Sequence, residues 1–409
     1  MISLRPHQQK ALDAMQQHSK GVVVMPTGAG KTNIGIFDTI REFSKSESQT
    51  VVVVCPRILL AEQLSSEYLE FIMNAEVLHV HSGETSHFSS TNPKVIRGWY
   101  ETHSSSHKLI FTTYHSLHRL QESGISVSSI YFDEAHNSVK RNFFPSVEYF
   151  AFEATRSFFF TATPAYSSTI YKPGMNDIDV YGPIIAKVPA PELVKGGYIV
   201  PPKVITIPMR LSVENENIAQ RDCEYLLKTI NDYPVNKILI CAKATQHIMN
   251  LFTQTDFANY LIQRGYSLMH ITSKFGAFID GRKVNREVFF ETLNAWGNNP
   301  EKKFVILQHS VLGEGINISA LEAVVFMRPM NVIGIGQTVG RTLRLHPKDA
   351  ADIRSGTLQA GFLSAYKKSH GLVICPIFDR ASEGTAKAVE KVTDIIFKKG
   401  EVAVSVAKR

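Results

Sequence analysis

The chain has 409 residues, 44% of them hydrophobic and 20% charged, a globular balance that excludes a disordered tail, and at about 150 residues per domain it is more than one small module. Lys and Arg total 44 against 37 Asp and Glu, a formal charge of +7, which leans toward a polyanionic partner, although no basic run exceeds two residues. The four cysteines (Cys55, Cys223, Cys241 and Cys375) form no CxxC pair, which excludes a zinc ribbon or disulfide scaffold, and apolar runs such as Val51–Cys55 fall far short of the roughly 20 residues of a membrane helix.

The opening MISLRPHQQK has no apolar stretch before a small-residue cleavage site, so an intracellular protein with no membrane association is expected. Strands are predicted at Gly21–Met25, Thr50–Cys55, Lys108–Thr112, Ser129–Phe132 and Ser157–Thr161, short β-branched or aromatic runs suited to burial on both faces. Helical period falls between them, at Thr32–Phe43 and Ala61–Met73. The alternation predicts βαβ units and a doubly wound sheet. Seven histidines lie between His79 and His118; their spacing fits no common helical ligand pattern, so they are read as solvated or capping groups and no structural metal is expected. Lys172–Pro202, with six prolines, is read as a linker. The strand texture returns at Lys237–Cys241, Ser267–Thr272, Lys303–Gln308, Glu322–Phe326 and Gly371–Ile377. The expected organisation is therefore α/β, with domain 1 over residues 1–171, the linker over 172–202 and domain 2 over 203–409.

Within the first half, Gly21–Thr32 (GVVVMPTGAGKT) reads as strand, glycine turn and helix start. Gly28 and Gly30 let backbone N–H groups approach phosphate oxygens, Lys31 can reach the β- and γ-phosphates, and the Thr32 hydroxyl can ligate Mg²⁺. Met25 stands where the strict phosphate-loop pattern has glycine, a change expected to be tolerable because its backbone N–H remains. A hundred residues on, Ser129–His136 (SIYFDEAH) places Asp133 and Glu134 at the end of a strand. Asp133 would hold Mg²⁺, and Glu134 would orient and deprotonate a water attacking the γ-phosphate.

With these motifs in order, the chain resembles the superfamily 2 helicases of DEAH type over nearly its whole length, especially phage branch-migration helicases and restriction-enzyme motor subunits. LRPHQ at Leu4–Gln8 is similar to the adenine-reading motif, implicating Arg5 and Gln8. Pro26–Thr32 is similar to motif I, so Pro26, Thr27, Gly28, Ala29, Gly30, Lys31 and Thr32 would line the nucleotide. Val54–Gln63 resembles motif Ia, Thr112–Leu117 motif Ib and Asp133–His136 motif II. Thr161–Thr163 (TAT) resembles motif III, and with His136 would couple the nucleotide to the rest of the motor. In the second half, Ile238–Ala244 falls where motif IV is expected and Gly313–Ile318 (GEGINI) where motif V is expected, with Gly315 near the nucleotide and Asn317 in place of the frequent aspartate. Gln337–Arg344 (QTVGRTLR) matches motif VI.

The resemblance implies two tandem RecA-like domains, each a mostly parallel sheet flanked by helices, with ATP and Mg²⁺ in the cleft between them. Arg341 and Arg344, three apart, are expected to share one helical face and to act as arginine fingers, with Gln337 beside them. Arg57, Thr113 and Thr245 match positions that contact nucleic-acid phosphates, with little sequence readout. Phe275–Arg286 mixes two aromatics with Arg282, Lys283 and Arg286; it is read as a surface loop leading into a helix, with base stacking or duplex wedging as the alternative. A bare motor core is expected, acting on DNA in preference to RNA. Two other readings stay open: an RNA-dependent ATPase, and an ATP-gated clamp without motor activity.

Overall fold

The protein's structure, a computed structural model, describes residues 4–169, 171–208, 217–272, 274–309, 320–377 and 380–407. It divides into two compact units, Met1–Val188 with Val402–Arg409, and Pro189–Glu401. Among the described residues no helix is long and apolar enough to cross a membrane.

In chain order the first unit comprises α1 (Pro6–Gln17), β1 (Lys20–Val24), α2 (Lys31–Phe43), β2 (Thr50–Cys55), α3 (Ile58–Leu69), β3 (Ala75–Val80), α4 (Pro93–Thr102), β4 (His107–Thr113), α5 (Leu117–Glu122), β5 (Ser129–Phe132), α6 (Phe144–Glu153), β6 (Arg156–Thr161), β7 (Ala165–Ser167), α7 (Ile178–Tyr181) and β8 (Ile184–Lys187). Seven strands form one sheet in the order β3-β4-β2-β5-β6-β1-β8, and every pairing in it is parallel. The central strands are covered on both faces, which is why they read as unbroken Val, Ile and Phe. Val52, Val54, Ile110, Ile130, Phe132 and Phe159 pack into one core on one face. Helix α2 is tied to the sheet by a buried polar cluster: the Arg156 guanidinium donates to Asp38 at 2.8 and 3.2 Å, and the Tyr131 hydroxyl donates to Asp38 at 2.7 Å.

The second unit comprises α8 (Ala190–Lys195), β9 (Pro202–Pro208), α9 (Ile218–Asp232), β10 (Lys237–Cys241), α10 (Thr245–Gln254), α11 (Phe257–Gln263), β11 (Ser267–Thr272), β12 (Gly276–Ile279), β13 (Arg282–Val284), α12 (Arg286–Asn298), β14 (Phe304–Gln308), β15 (Ala323–Phe326), α13 (Val332–Thr342), α14 (Pro347–Arg354), β16 (Gly371–Ile377) and α15 (Arg380–Thr393). Its sheet runs β13-β12-β11-β14-β10-β15-β16-β9, parallel except for the β12 and β13 pairings. Both units are thus mostly parallel sheets flanked by helices, the RecA-like architecture.

Three segments differ from their sequence reading. Residues 172–202 hold α7, β8 and α8, and the division between the units falls between Val188 and Pro189. Three of the six prolines in this stretch sit at element starts: Pro183 precedes β8, Pro189 caps α8, and Pro202 opens the edge strand β9. Proline is tolerated at such positions, because no interior hydrogen bond is lost there. At the other end, β17 (Ser405–Ala407) pairs in parallel with β7, so the last residues pack with the first unit. Phe275–Arg286 is a β-hairpin, β12 and β13, closed by Asp280-Gly281 with φ of 45° and 78°. Two positive φ values make the tight turn that matches strand twist.

Candidate nucleotide site

Strand β1 delivers the chain to the loop at residues 25–30. Met25 is fully buried, and its N–H donates to Thr161 O at 3.0 Å, extending the β1–β6 ladder. That N–H is therefore not available to phosphate, contrary to the expectation; methionine fits here because its side chain fills core. Gly28 and Gly30 take φ of 88° and 80°, and Gly30 caps α2. A Cβ on Gly30 would lie 2.3 Å from Gln8 Nε2. From α1, the His7 ring Nε2–H donates to Ala29 O at 2.9 Å, and Gln8 Nε2 donates to Gly30 O at 3.0 Å. Gln8 Oε1 accepts the Arg5 N–H at 2.8 Å, so both ends of the carboxamide are held by backbone. The Lys31 ammonium folds back onto Met25 O at 3.4 Å, and Thr32 lies in the first turn of α2 beside it.

At the end of β5, Asp133 N–H donates to Val54 O at 2.8 Å, and the Tyr114 hydroxyl donates to Asp133 O at 2.9 Å. Burial first, and the neighbouring Glu134 charge second, push the Asp133 carboxyl up to about 7, with Lys31 opposing. Glu134 sits in the left-handed region at φ 46°, backbone strain of the kind that collects at functional positions. His136 Nε2 faces the Asn137 amide at 3.2 Å, which leaves the proton on Nδ1. That proton points to Thr161 Oγ1 at 3.2 Å, with Glu134 Oε2 at 3.6 Å. Thr161 Oγ1 also accepts the Thr163 N–H at 3.2 Å.

Strands β1, β6 and β5 are consecutive in the sheet. Their carboxyl ends therefore bring Pro26–Thr32, Thr161–Thr163 and Asp133–His136 together, where ligands of open α/β sheets bind. Three buried oxygens in these segments have no hydrogen-bond partner: Thr27 Oγ1, Glu134 Oε2 and Thr163 Oγ1. Unsatisfied buried polar atoms are uncommon unless a ligand or water completes them. A left-handed glycine loop at a helix N-terminus beside a desolvated carboxylate pair fits a polyphosphate with a divalent cation.

Residues 1–166 match the family described as "Type III restriction enzyme, res subunit". Two solved structures share the fold. One, titled "ATP-dependent Type ISP restriction-modification enzyme LlaBIII bound to DNA", matches at a TM-score of 0.74 and 16% identity over 99% of this chain and 31% of that one. The other, a nuclease-deletion mutant of the Type ISP enzyme LlaGI in complex with a DNA substrate mimic, matches at a TM-score of 0.68 and 19% identity over 98% of this chain and 30% of that one. The chain spans about a third of the length of each.

In the second unit, Gln337 and Arg341 lie on α13 and are both buried, Gln337 Nε2 without a hydrogen-bond partner. The expected shared helical face does not form. Helix α13 ends at Thr342, Leu343 is its C-cap, and Arg344 makes an antiparallel bridge with Ile199. The Arg344 carbonyl accepts from the buried Lys368 ammonium at 2.7 Å; β-bridge pairing overrides helical continuation. Gly315 and the rest of 313–318 lie outside the described residues. Arg57 caps α3 after β2, Thr113 ends the adjacent β4 with its hydroxyl 3.4 Å from Ser116 Oγ, and Thr245 is half-buried at the start of α10. Arg57 and Thr113 thus share the carboxyl edge of the first sheet. Sequence reasoning missed His7 and Tyr114 as supports of the loop and the carboxylate turn. The tyrosine between Thr113 and His115 was visible, but its reach to Asp133 was not.

Proposed function

We propose that the chain is the ATP-driven motor part of a DNA translocase or helicase of superfamily 2, of the DEAH type. The observation that carries this reading is the meeting of the glycine loop, the Asp133–Glu134 pair and Thr161–Thr163 on three neighbouring strand ends, with three buried oxygens left for a ligand. The similarity of residues 1–166 to restriction-enzyme res subunits, and the DNA named in the titles of both structural neighbours, support DNA as the track.

In this reading the backbone N–H groups of Thr27, Gly28 and Gly30 and the Lys31 ammonium hold the β- and γ-phosphates, while the Ala29 N–H closes the loop on Pro26 O at 3.2 Å. Thr32 and Asp133 would hold Mg²⁺, which supplies positive charge to the phosphate oxygens. Glu134 aligns the attacking water and takes its proton. His136 and Thr161 hold that carboxylate's surroundings in place. Adenine recognition by Gln8 requires it to exchange its backbone bonds, while Arg5 and Pro26 border the base and the loop. Arg341, Arg344 and Gln337 of the second unit are assigned to the charge that develops on the γ-phosphate, a role worth about 10³–10⁵ in rate in related chemistry. Arg57, Thr113 and Thr245 are assigned to phosphates of the track, and Gly315 to the nucleotide.

The test is ATP turnover by the full chain with no nucleic acid, with duplex DNA, with single-stranded DNA and with RNA. Duplex DNA is expected to stimulate most, with strong dependence on salt. Greater stimulation by RNA would move the track to RNA, and turnover indifferent to all three would leave only a clamp.

A further inference from the structure

Glu62 lies on α3, His79 on the edge strand β3, and His81 just beyond that strand. His79 and His81, two apart, project to the same face of an extended chain, and Glu62 meets them from the helix packed there. His79 Nδ1 and His81 Nε2 are 3.0 Å apart, and Glu62 Oε1 is 3.3 Å from each. Both rings are buried. They are not solvated groups, which corrects that part of the reading from sequence spacing.

Three potential ligand atoms in mutual contact share a single ring proton, which cannot serve both acceptors fully. Gly83 N–H donates to His81 Nδ1 at 3.2 Å, so the neutral ring carries its proton on Nε2, facing His79 Nδ1. The His79 Nε2–H in turn faces Ser65 Oγ at 3.1 Å. This chain serves both rings and leaves Glu62 Oε1 buried with no hydrogen-bond partner. A cation serves all three atoms at once. A point equidistant from them lies about 1.9 Å from each, so zinc bonds of about 2.0–2.1 Å put the ion just out of their plane, with a fourth position for water. The outer contacts a metal site requires are also present: Ser65 Oγ on His79 Nε2, and Thr85 Oγ1 donating to Glu62 Oε2 at 3.2 Å.

We propose that Glu62, His79 and His81 form a binding site for one divalent transition-metal ion of the zinc class, separate from the nucleotide site and its Mg²⁺. Two imidazoles and one carboxylate favour zinc, nickel or cobalt over Mg²⁺ or Ca²⁺. The ion ties α3, the helix that Arg57 caps, to the sheet edge. Loading moves the His81 proton to Nδ1 and breaks the bond from Gly83, so the turn at 82–84 shifts when the ion binds.

The test uses the full chain stripped with a chelator and titrated with Co²⁺ and then Zn²⁺ in excess Mg²⁺, following visible Co²⁺ absorption and metal content. Wild type is expected to bind one ion per chain and to unfold at a higher temperature with Zn²⁺. Glu62→Gln and His81→Gln should each weaken binding at least tenfold and lose the thermal shift, whereas His87→Gln should not. Glu62 is partly exposed, so Glu62→Gln keeps the test decisive even if His81→Gln fails to fold. Less than one ion bound at micromolar Zn²⁺, or undiminished binding by Glu62→Gln, overturns the proposal. ATP turnover is not part of this readout, so the motor reading stands or falls separately.

Discussion

Gly30→Ala isolates the brace that α1 places on the glycine loop. The substitution forces an L-residue into φ 80°, which costs about 1–2 kcal/mol. It also puts a Cβ 2.3 Å from Gln8 Nε2. Gln8 must then leave, losing its bonds to Gly30 O and Arg5 N–H, each worth about 0.5–1.5 kcal/mol. The expected total is about 2–5 kcal/mol. Gly124→Ala is the control, because Gly124 has φ 63° with nothing within 4 Å, so only the strain of about 1–2 kcal/mol remains. In a Gln8→Ala background the clash has no partner, and Gly30→Ala should cost only the strain. Urea unfolding of the four variants closes a double-mutant cycle with a coupling of about 1–3 kcal/mol. A fluorescent ATP analogue should bind weakly to Gly30→Ala and normally to Gly124→Ala. If Gly30→Ala is no worse than Gly124→Ala, or Gln8→Ala leaves its cost unchanged, the brace does not exist.

Lys31→Ala should abolish both nucleotide binding and turnover, whereas Glu134→Gln should retain binding and lose turnover; equal loss of affinity in both contradicts their assigned roles. Arg344→Ala should lower turnover while duplex affinity without ATP stays within about threefold, and a large loss of that affinity would place the residue on the track. Asp38→Asn removes a fully buried carboxylate facing Arg156 and Tyr131 and should cost about 3 kcal/mol in urea unfolding, breaking one partner of a buried pair being typically worth 3–5; a cost below about 1 kcal/mol would show that Glu42, whose Oε1 lies 2.8 Å from the Arg156 guanidinium, is sufficient for Arg156. Burial lowers the Lys368 ammonium to about 7, so above that pH the unfolded chain holds a proton that the folded chain lacks. Stability should rise between about pH 7 and 10, by up to about 1.4 kcal/mol per unit, and Lys368→Met should flatten that slope in urea midpoints; an unchanged slope would put the proton elsewhere.

The inner strands of both sheets were legible because burial on two faces demands an unbroken apolar run, as in Val51–Val54. Edge strands were not. β3 carries Glu76 and His79, β8 follows Pro183, and β9 begins at Pro202; an edge needs neither apolarity on both faces nor every ladder donor. The Asp-Gly of the β12–β13 hairpin was a visible turn signal lost among the basic residues around it. The glycine loop before α2 was legible because its requirement, glycines before a helix, is local. Its supports were not, since His7 and Gln8 reach Ala29 and Gly30 across more than twenty residues. Arg341 and Arg344 show the limit of spacing rules, because helical period says nothing about where a helix stops.

Thr161 is where the parts of the nucleotide site meet, and its two kinds of contact differ in stiffness. Its backbone carbonyl is fixed in the ladder by the Met25 N–H at 3.0 Å, and β6 is clamped between β1 and β5. Its hydroxyl instead holds the His136 ring and the Thr163 N–H, both at 3.2 Å, toward the long end of hydrogen-bond geometry. A signal from nucleotide to the rest of the chain needs an element with two arrangements, and a seven-stranded ladder does not supply one. The His136 ring, with Glu134 Oε2 3.6 Å from its Nδ1, and the Thr163 N–H share that one oxygen.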